Sequence, residues 1–248
     1  MKIQWKTTVA AMAIFGVHMQ AHGQFLGTAD YYAVLAGSTV TNTGTSVLYG
    51  NLGVWPGTAI TGFPPGLVTH GTIHAGDAAA MQAQSDVTTA YNSLAGEAFN
   101  QDLTGQDLGG QSLVAGVYHF DSSAFLTGTL ILDAQGNANA RFDFQIGSTL
   151  ITASNSVVQI INGGDGCNVY WQVGSSSTVG TNSLFTGHIL ALASVTLNTG
   201  ATIDDGSAFA RNGAVTLDSN KVTGCPGPGS MIVFGVGAIG TYLRRKRK

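Results

Sequence analysis

A short pattern rich in threonine, serine and asparagine returns about every twenty residues in the second half of this chain. Residues 150–156 can be laid over residues 179–185, 197–203 and 217–222. Thr181 and Thr199 are then 18 residues apart, and Thr199 and Ser219 are 20 apart. Thr152 and Thr181 are 29 apart, which fits one repeat plus an inserted loop at 163–168. A period near 20 with one set of short strands per repeat is what a β-solenoid produces, because no repeat buries its apolar face until neighbours stack on it. A β-sandwich also spaces short strands regularly; the recurrence of Thr, Ser or Asn at equivalent positions favours the solenoid. Composition agrees. Of 248 residues 35 are glycine, 44% are hydrophobic and only 9% are charged. That mixture suits short strands and tight turns, and it argues against a helical bundle, a coiled coil or a disordered chain.

The strands read from apolar runs between glycines are 114–120, 129–132, 141–146, 157–161, 169–173 and 187–193. One segment reads as a long helix. Residues 77–95 contain neither Gly nor Pro, Asp77 stands ready to cap the start, and Gly96 supplies a stop. Met81, Gln84, Val87 or Thr88, Tyr91 and Leu94 fall on one stripe, so the helix is expected to lie along another surface. The fold class expected is mainly β, with this single helix alongside.

Charge is partitioned towards the ends. Lys2 and Lys6 open the chain, and Arg244, Arg245, Lys246, Arg247 and Lys248 close it. Between residues 24 and 225 only Arg141, Arg211 and Lys221 are basic, against all 13 acidic residues, a net of −10. A body so poor in cations cannot neutralise phosphates, which excludes nucleic acid as a partner. Residues 1–23 combine a basic start, an apolar stretch and the small-residue exit Ala21-His22-Gly23, the order of a secretory signal peptide. Residues 226–248 run from Pro226-Gly227-Pro228 through an apolar span, 231–243, to the basic end. Thirteen apolar residues are short for a bilayer crossing. The tail resembles a PEP-CTERM sorting signal, with Gly227 where that family has Glu, and so implies an exosortase-type processing enzyme as a partner. The expected domains are therefore a signal peptide (1–23), a β body (24–225) and a sorting or membrane tail (226–248), in a protein secreted or held at a bacterial surface. Cys167 and Cys225, the only cysteines, are expected to form a disulfide in that oxidising compartment; the alternative is two free thiols.

Catalytic motifs are missing: the chain has no Gly-x-Ser-x-Gly elbow, no phosphate-binding loop and no His-Glu-x-x-His helix. His70 and His74 are four apart but separated by Gly71, a poor metal spacing. Asp204 and Asp205 would point to opposite faces of a strand, which argues against a carboxylate pair. No enzyme, metal or cofactor is expected. What remains is the array. Thr152, Thr181, Thr199 and Ser219 are expected to form one file up the stack, with Asn155 and Thr202 beginning a second. A rigid surface of methyl and hydroxyl groups at strand spacing can order water; equally, Thr simply favours strands.

Several blocks resemble the DUF3494 ice-binding proteins. They are 26–29 with 32–44, then 50–54 with 56–63, and Ala83-Gln84 with Thr88-Thr89-Ala90-Tyr91. Further on come 113–118, 144–146, 168–173 and 214–220. They occur in the family's order and cover nearly all of 25–223. The resemblance implies an irregular right-handed β-solenoid of triangular cross-section with a long helix alongside, one flat face of which binds the water lattice of an ice crystal. A monomer is expected. The family's motif, Thr-Ala/Gly-x-Thr/Asn, is matched by Thr152 to Asn155 and by Thr199 to Thr202. Thr43 to Ser46, including Thr45, is one hydroxyl-conserving change away, while the segments from Thr181 and from Ser219 depart. The ice-binding residues implied are thus Thr43, Thr45, Thr152, Asn155, Thr181, Thr199, Thr202 and Ser219. A cell-surface adhesin or matrix protein, binding glycans or cells on the same scaffold, is the competing function.

Overall fold

Residues that alternate between apolar and small polar side chains make short strands of two to five residues. The computed structural model describes residues 25–225; the expected signal peptide and sorting tail lie outside the described residues. The strands fall into three parallel sheets of nine, seven and eight strands. Each circuit of the chain gives one strand to each sheet in turn. Val169–Val173, Ser177–Val179 and Leu184–Thr186 make one such circuit, and the next stacks on it in register, with Trp171 opposite Ile189, Thr178 opposite Thr196 and Phe185 opposite Ile203.

Stacking order departs from sequence order. The first circuit (Tyr32–Ala36, Thr39–Thr43, Val47–Tyr49) pairs with the last, placing Leu35 opposite Phe209, Thr41 opposite Thr216 and Leu48 opposite Val222. The second circuit (Asn51–Val54, Ala59–Thr61, Leu67–Thr69) lies on the far side of the first. The chain must then travel to the other edge of the nine-stranded sheet, from Ile73–Ala75 to Gln101–Asp102. Eight strand spacings amount to roughly 38 Å. The helix Ala78–Gly96 has 19 residues, about 28 Å of rise, and its flanking loops cover the rest.

Asp77 caps this helix, its carboxylate accepting from the Ala80 N–H at 2.9 Å. The buried stripe is Ala80, Ala83, Gln84, Val87, Ala90, Tyr91 and Leu94. Met81, expected on it, is 45% exposed; small alanines take its place because the helix lies close to the sheet. They pack on Tyr32, Leu35, Tyr170, Leu190 and Phe209. At the far end the Gln145 amide donates to the Leu94 and Glu97 carbonyls, both at 2.7 Å, satisfying acceptors that the helix terminus leaves open. The nine-stranded sheet is thus covered on both sides.

Inside the circuits, the inward residues form one continuous core in which Tyr118, Phe144 and Trp171 stack from one circuit to the next, with centroids 5.4 and 3.9 Å apart. Cys167 and Cys225 are joined in a disulfide with Cα atoms 5.8 Å apart, tying the end of the last circuit to the loop before Val169–Val173. The 58-residue separation sets the expected effect. Replacing both cysteines by serine should lower unfolding stability by up to about 4 kcal/mol in denaturant titration; a change near zero would show that this loop is already closed by pairing alone.

Ser177 points into the core between Leu150 and Val195, and its hydroxyl has no partner among the described residues. Ser177→Ala removes a buried, unpaired polar group. It should stabilise the protein by about 1 kcal/mol, raising Tm by roughly 2–4 °C; a lower Tm in calorimetry would contradict this reading of the core.

Candidate functional site

With the nine-stranded sheet covered by the helix, two sheets offer outer faces to solvent. They differ in chemistry. Along the eight-stranded sheet the outward positions pass through Val157, Leu184, Thr202, Lys221, Val47 and Leu67, so apolar, hydroxyl and charged groups alternate. Lys221 pairs with Asp204 at 3.3 Å and reaches towards the ring of Tyr49. No single surface chemistry repeats there.

The seven-stranded sheet does repeat. Thr178 lies opposite Thr196, Thr196 opposite Thr216, Thr216 opposite Thr41, and Thr41 opposite Thr61. Five threonines from five adjacent strands therefore stand in one in-register outward row, about 19 Å long over four strand spacings. Each has buried or half-buried neighbours on both sides along its strand, so the side chain points out by alternation. β-Branching leaves few χ1 choices, which holds methyl and hydroxyl in a repeated arrangement. These five hydroxyls make no hydrogen bond to another described residue, whereas many threonines elsewhere do: Thr69 and Thr186 donate to carbonyls, and Thr127 and Thr199 to carboxylates. The row presents its hydroxyls to solvent.

Charge stays at the margins of this face. Asp218 follows the row on its strand by two positions, opposite Thr43, and is engaged by the Thr199 and Ser219 hydroxyls. At the other end Asp107 makes a bridge to Phe125. Burial alone raises its carboxyl, but hydrogen bonds from the Thr127 and Gly109 N–H groups and the Thr127 hydroxyl hold it below the usual range. The middle of the row carries no ionisable side chain.

The residues singled out from sequence fall largely beside this row. Asn155, Thr181, Thr199, Ser219 and Thr45 occupy the turn between the seven- and eight-stranded sheets. Thr43 ends its strand at that edge, and Thr202 opens a strand of the eight-stranded sheet. Thr152 was expected to face outward and faces inward: it is 4% exposed, and its hydroxyl accepts from the Gly180 N–H at 2.8 Å. The cause lies in the turn. Asn155, Asn182, Gly200 and Ser219 all have φ between +55° and +71°, the left-handed region that Gly and Asn tolerate best. The repeated Gly, Asn and Ser signal marks that turn rather than the middle of the sheet. A better signal was present in the tripeptides Val195-Thr196-Leu197 and Val215-Thr216-Leu217, twenty residues apart, with threonine between two inward residues.

The remaining candidates do other work. His70 stacks on Tyr49, and His74 bridges Thr72 and Asp77 at the helix start. Among the described residues no three His, Cys, Asp or Glu side chains are grouped to hold a metal.

A family model described as ice-binding-like matches residues 34–223, which takes in all three sheets and the helix. The chain belongs to the ice-binding-like family. An ice-binding protein from Nostoc sp. (strain HG1) is 59% identical over 198 residues, 80% of this chain and 73% of that one. The crystal structure of an ice-binding protein from the Antarctic ascomycete Antarctomyces psychrotrophicus is 42% identical, with a TM-score of 0.78, covering 81% of this chain and 98% of that one. The DUF3494 domain of Shewanella frigidimarina ice-binding protein 1 is 30% identical with a TM-score of 0.75, over 81% and 97% of the two chains. Among members of the ice-binding-like family, then, this chain resembles proteins across their core rather than at isolated motifs.

Proposed function

We propose that this protein binds ice through the seven-stranded sheet, by the row Thr178, Thr196, Thr216, Thr41 and Thr61. What carries the reading is the in-register row of outward hydroxyls without partners among the described residues. Adjacent strands repeat at about 4.8 Å. In tetrahedrally bonded water with O···O near 2.75 Å, second neighbours lie about 4.5 Å apart. The row therefore nearly repeats a distance that ice fixes and liquid water does not. Each methyl removed from liquid water contributes roughly 0.8 kcal/mol, and the hydroxyls hold the waters that join protein to lattice. A rigid sheet loses little conformational freedom on adsorbing.

No chemical step is required. Adsorbed molecules pin the crystal surface, the front advances only as curved growth between them, and curvature opposes further freezing. Growth and recrystallisation both slow.

The same reading takes residues 24–225 as a right-handed β-solenoid of triangular section, monomeric, in an exported protein. Residues 1–23 would direct export, and residues 226–248 would form a PEP-CTERM-like tail read by an exosortase-type enzyme. The Cys167–Cys225 disulfide suits the oxidising compartment that export reaches.

The test is thermal hysteresis on a cryostage, with melting curves measured alongside. Thr196→Tyr should weaken adsorption roughly tenfold, equivalent to about 1.4 kcal/mol, with Tm unchanged because the residue faces out. Thr199→Tyr in the turn and Leu184→Tyr on the eight-stranded sheet should keep the activity. Thr152→Tyr should fail to fold stably, since there is no room for a ring at that inward position. Full activity in Thr196→Tyr together with loss in Thr199→Tyr would move the site from the sheet to its edge. Absence of hysteresis and of recrystallisation inhibition in the unmodified protein would sink the proposal.

A further inference from the structure

Two apolar side chains stand where the threonine row would continue. Ile151 lies opposite Thr178, and Phe125 lies opposite Ile151. The outward central positions of the sheet therefore run Phe125, Ile151, Thr178, Thr196, Thr216, Thr41, Thr61. Ile151 is 39% exposed and Phe125 47%, while their strand neighbours Ala124, Leu126, Leu150 and Thr152 are buried. Two large apolar groups so exposed add little to the core. Nor does the backbone falter there: Leu150 donates to the Ser176 carbonyl and Ala153 to the Leu126 carbonyl, at 3.2 and 2.9 Å, as in a regular ladder.

The change at this end is thus one of side-chain chemistry on an unbroken scaffold. Neither residue offers a hydroxyl to anchor a water, and both fill more space above the sheet than threonine does. Phe125 stands on the edge strand of the sheet, Ala124–Leu126, with Asp107 bridged to it just beyond. A flat crystal plane laid on the five threonines meets bulk at Ile151, a larger bulk at Phe125, and then a charge.

Resting on the ice-binding reading, we infer that Ile151 and Phe125 set the length of the ice-binding face, which ends at Thr178 and uses five of the seven strands. The two positions determine how strongly the protein holds ice, and the scaffold already in place can carry a longer face.

Ile151→Thr and the double variant Ile151→Thr/Phe125→Thr test this by gain of function. Both sites point outward, so folding should be unaffected, and melting curves check that. Hysteresis at equal molar concentration should rise with row length, by roughly 1.4-fold for seven threonines against five if the gain follows contact area. Unchanged or reduced hysteresis in the folded double variant overturns the inference. If that variant does not fold, Phe125→Trp decides instead: outside the face it leaves hysteresis as it was, whereas a loss means that ice already reaches this strand. Thr196→Tyr is measured in the same series. If it keeps full activity, the face itself is misplaced and the ice-binding reading fails; if it loses activity while the longer row gains nothing, only the assignment to Ile151 and Phe125 fails.

Discussion

Parallel pairing between the first circuit and the last holds together the surface on which everything else here depends. Thr41 and Thr216 are 175 residues apart in the chain and adjacent in the sheet. The join is more than a backbone ladder. The buried Ser207 hydroxyl donates to the Tyr32 carbonyl at 2.7 Å, and the Asn220 N–H donates to the Ser46 hydroxyl at 2.9 Å. Without this seam, Thr178, Thr196 and Thr216 would end at an open strand edge and Thr41 and Thr61 would form a separate pair. With it, five hydroxyls share one line. The helix follows from the same constraint, because a chain that starts in the middle of the stack must cross to the far end before it can build back towards its own beginning.

The repeat comes from an elementary source. Strand spacing is a property of backbone hydrogen bonds, so any parallel stack offers the repeat. What this chain adds is a β-branched hydroxyl at the outward position of five adjacent strands, with no charge among them. The other two sheets have a different make-up. One is buried beneath Val87, Tyr91 and Leu94, and the other alternates Leu184, Thr202 and Lys221 along a single line.

Much of the scaffold was legible in the sequence. Asp77 announced the helix start, and the strands Val157–Ile161 and Val169–Val173 stand where apolar runs placed them. The β-rich class followed from glycine content, and the repeat near twenty residues pointed to short strands that stack, as the three parallel sheets do. Two things were not legible. The pairing of Thr39–Thr43 with Val215–Asp218 leaves no local trace, since parallel partners far apart share no turn. The register of the threonine row was hidden by a stronger signal, because Asn155, Asn182 and Gly200 sit in a left-handed turn and form the more conspicuous repeat. Aligning on them put Thr152 level with Thr181. Strand pairing instead puts Ile151 level with Thr178, which leaves Thr152 facing the core.

The long-range seam makes the central claim open to a direct measurement: partitioning of the protein into a slowly grown ice hemisphere, for the unmodified chain and for Thr41→Tyr. Thr41 is far in sequence from the repeats at 150–222, and it belongs to the row only through its pairing with Thr216 and Thr61. Enrichment of the unmodified protein in the ice fraction, with exclusion of a folded Thr41→Tyr variant to the level of an inert protein, is the expected result. Equal incorporation of the two would contradict a single ice-binding row built from both ends of the chain.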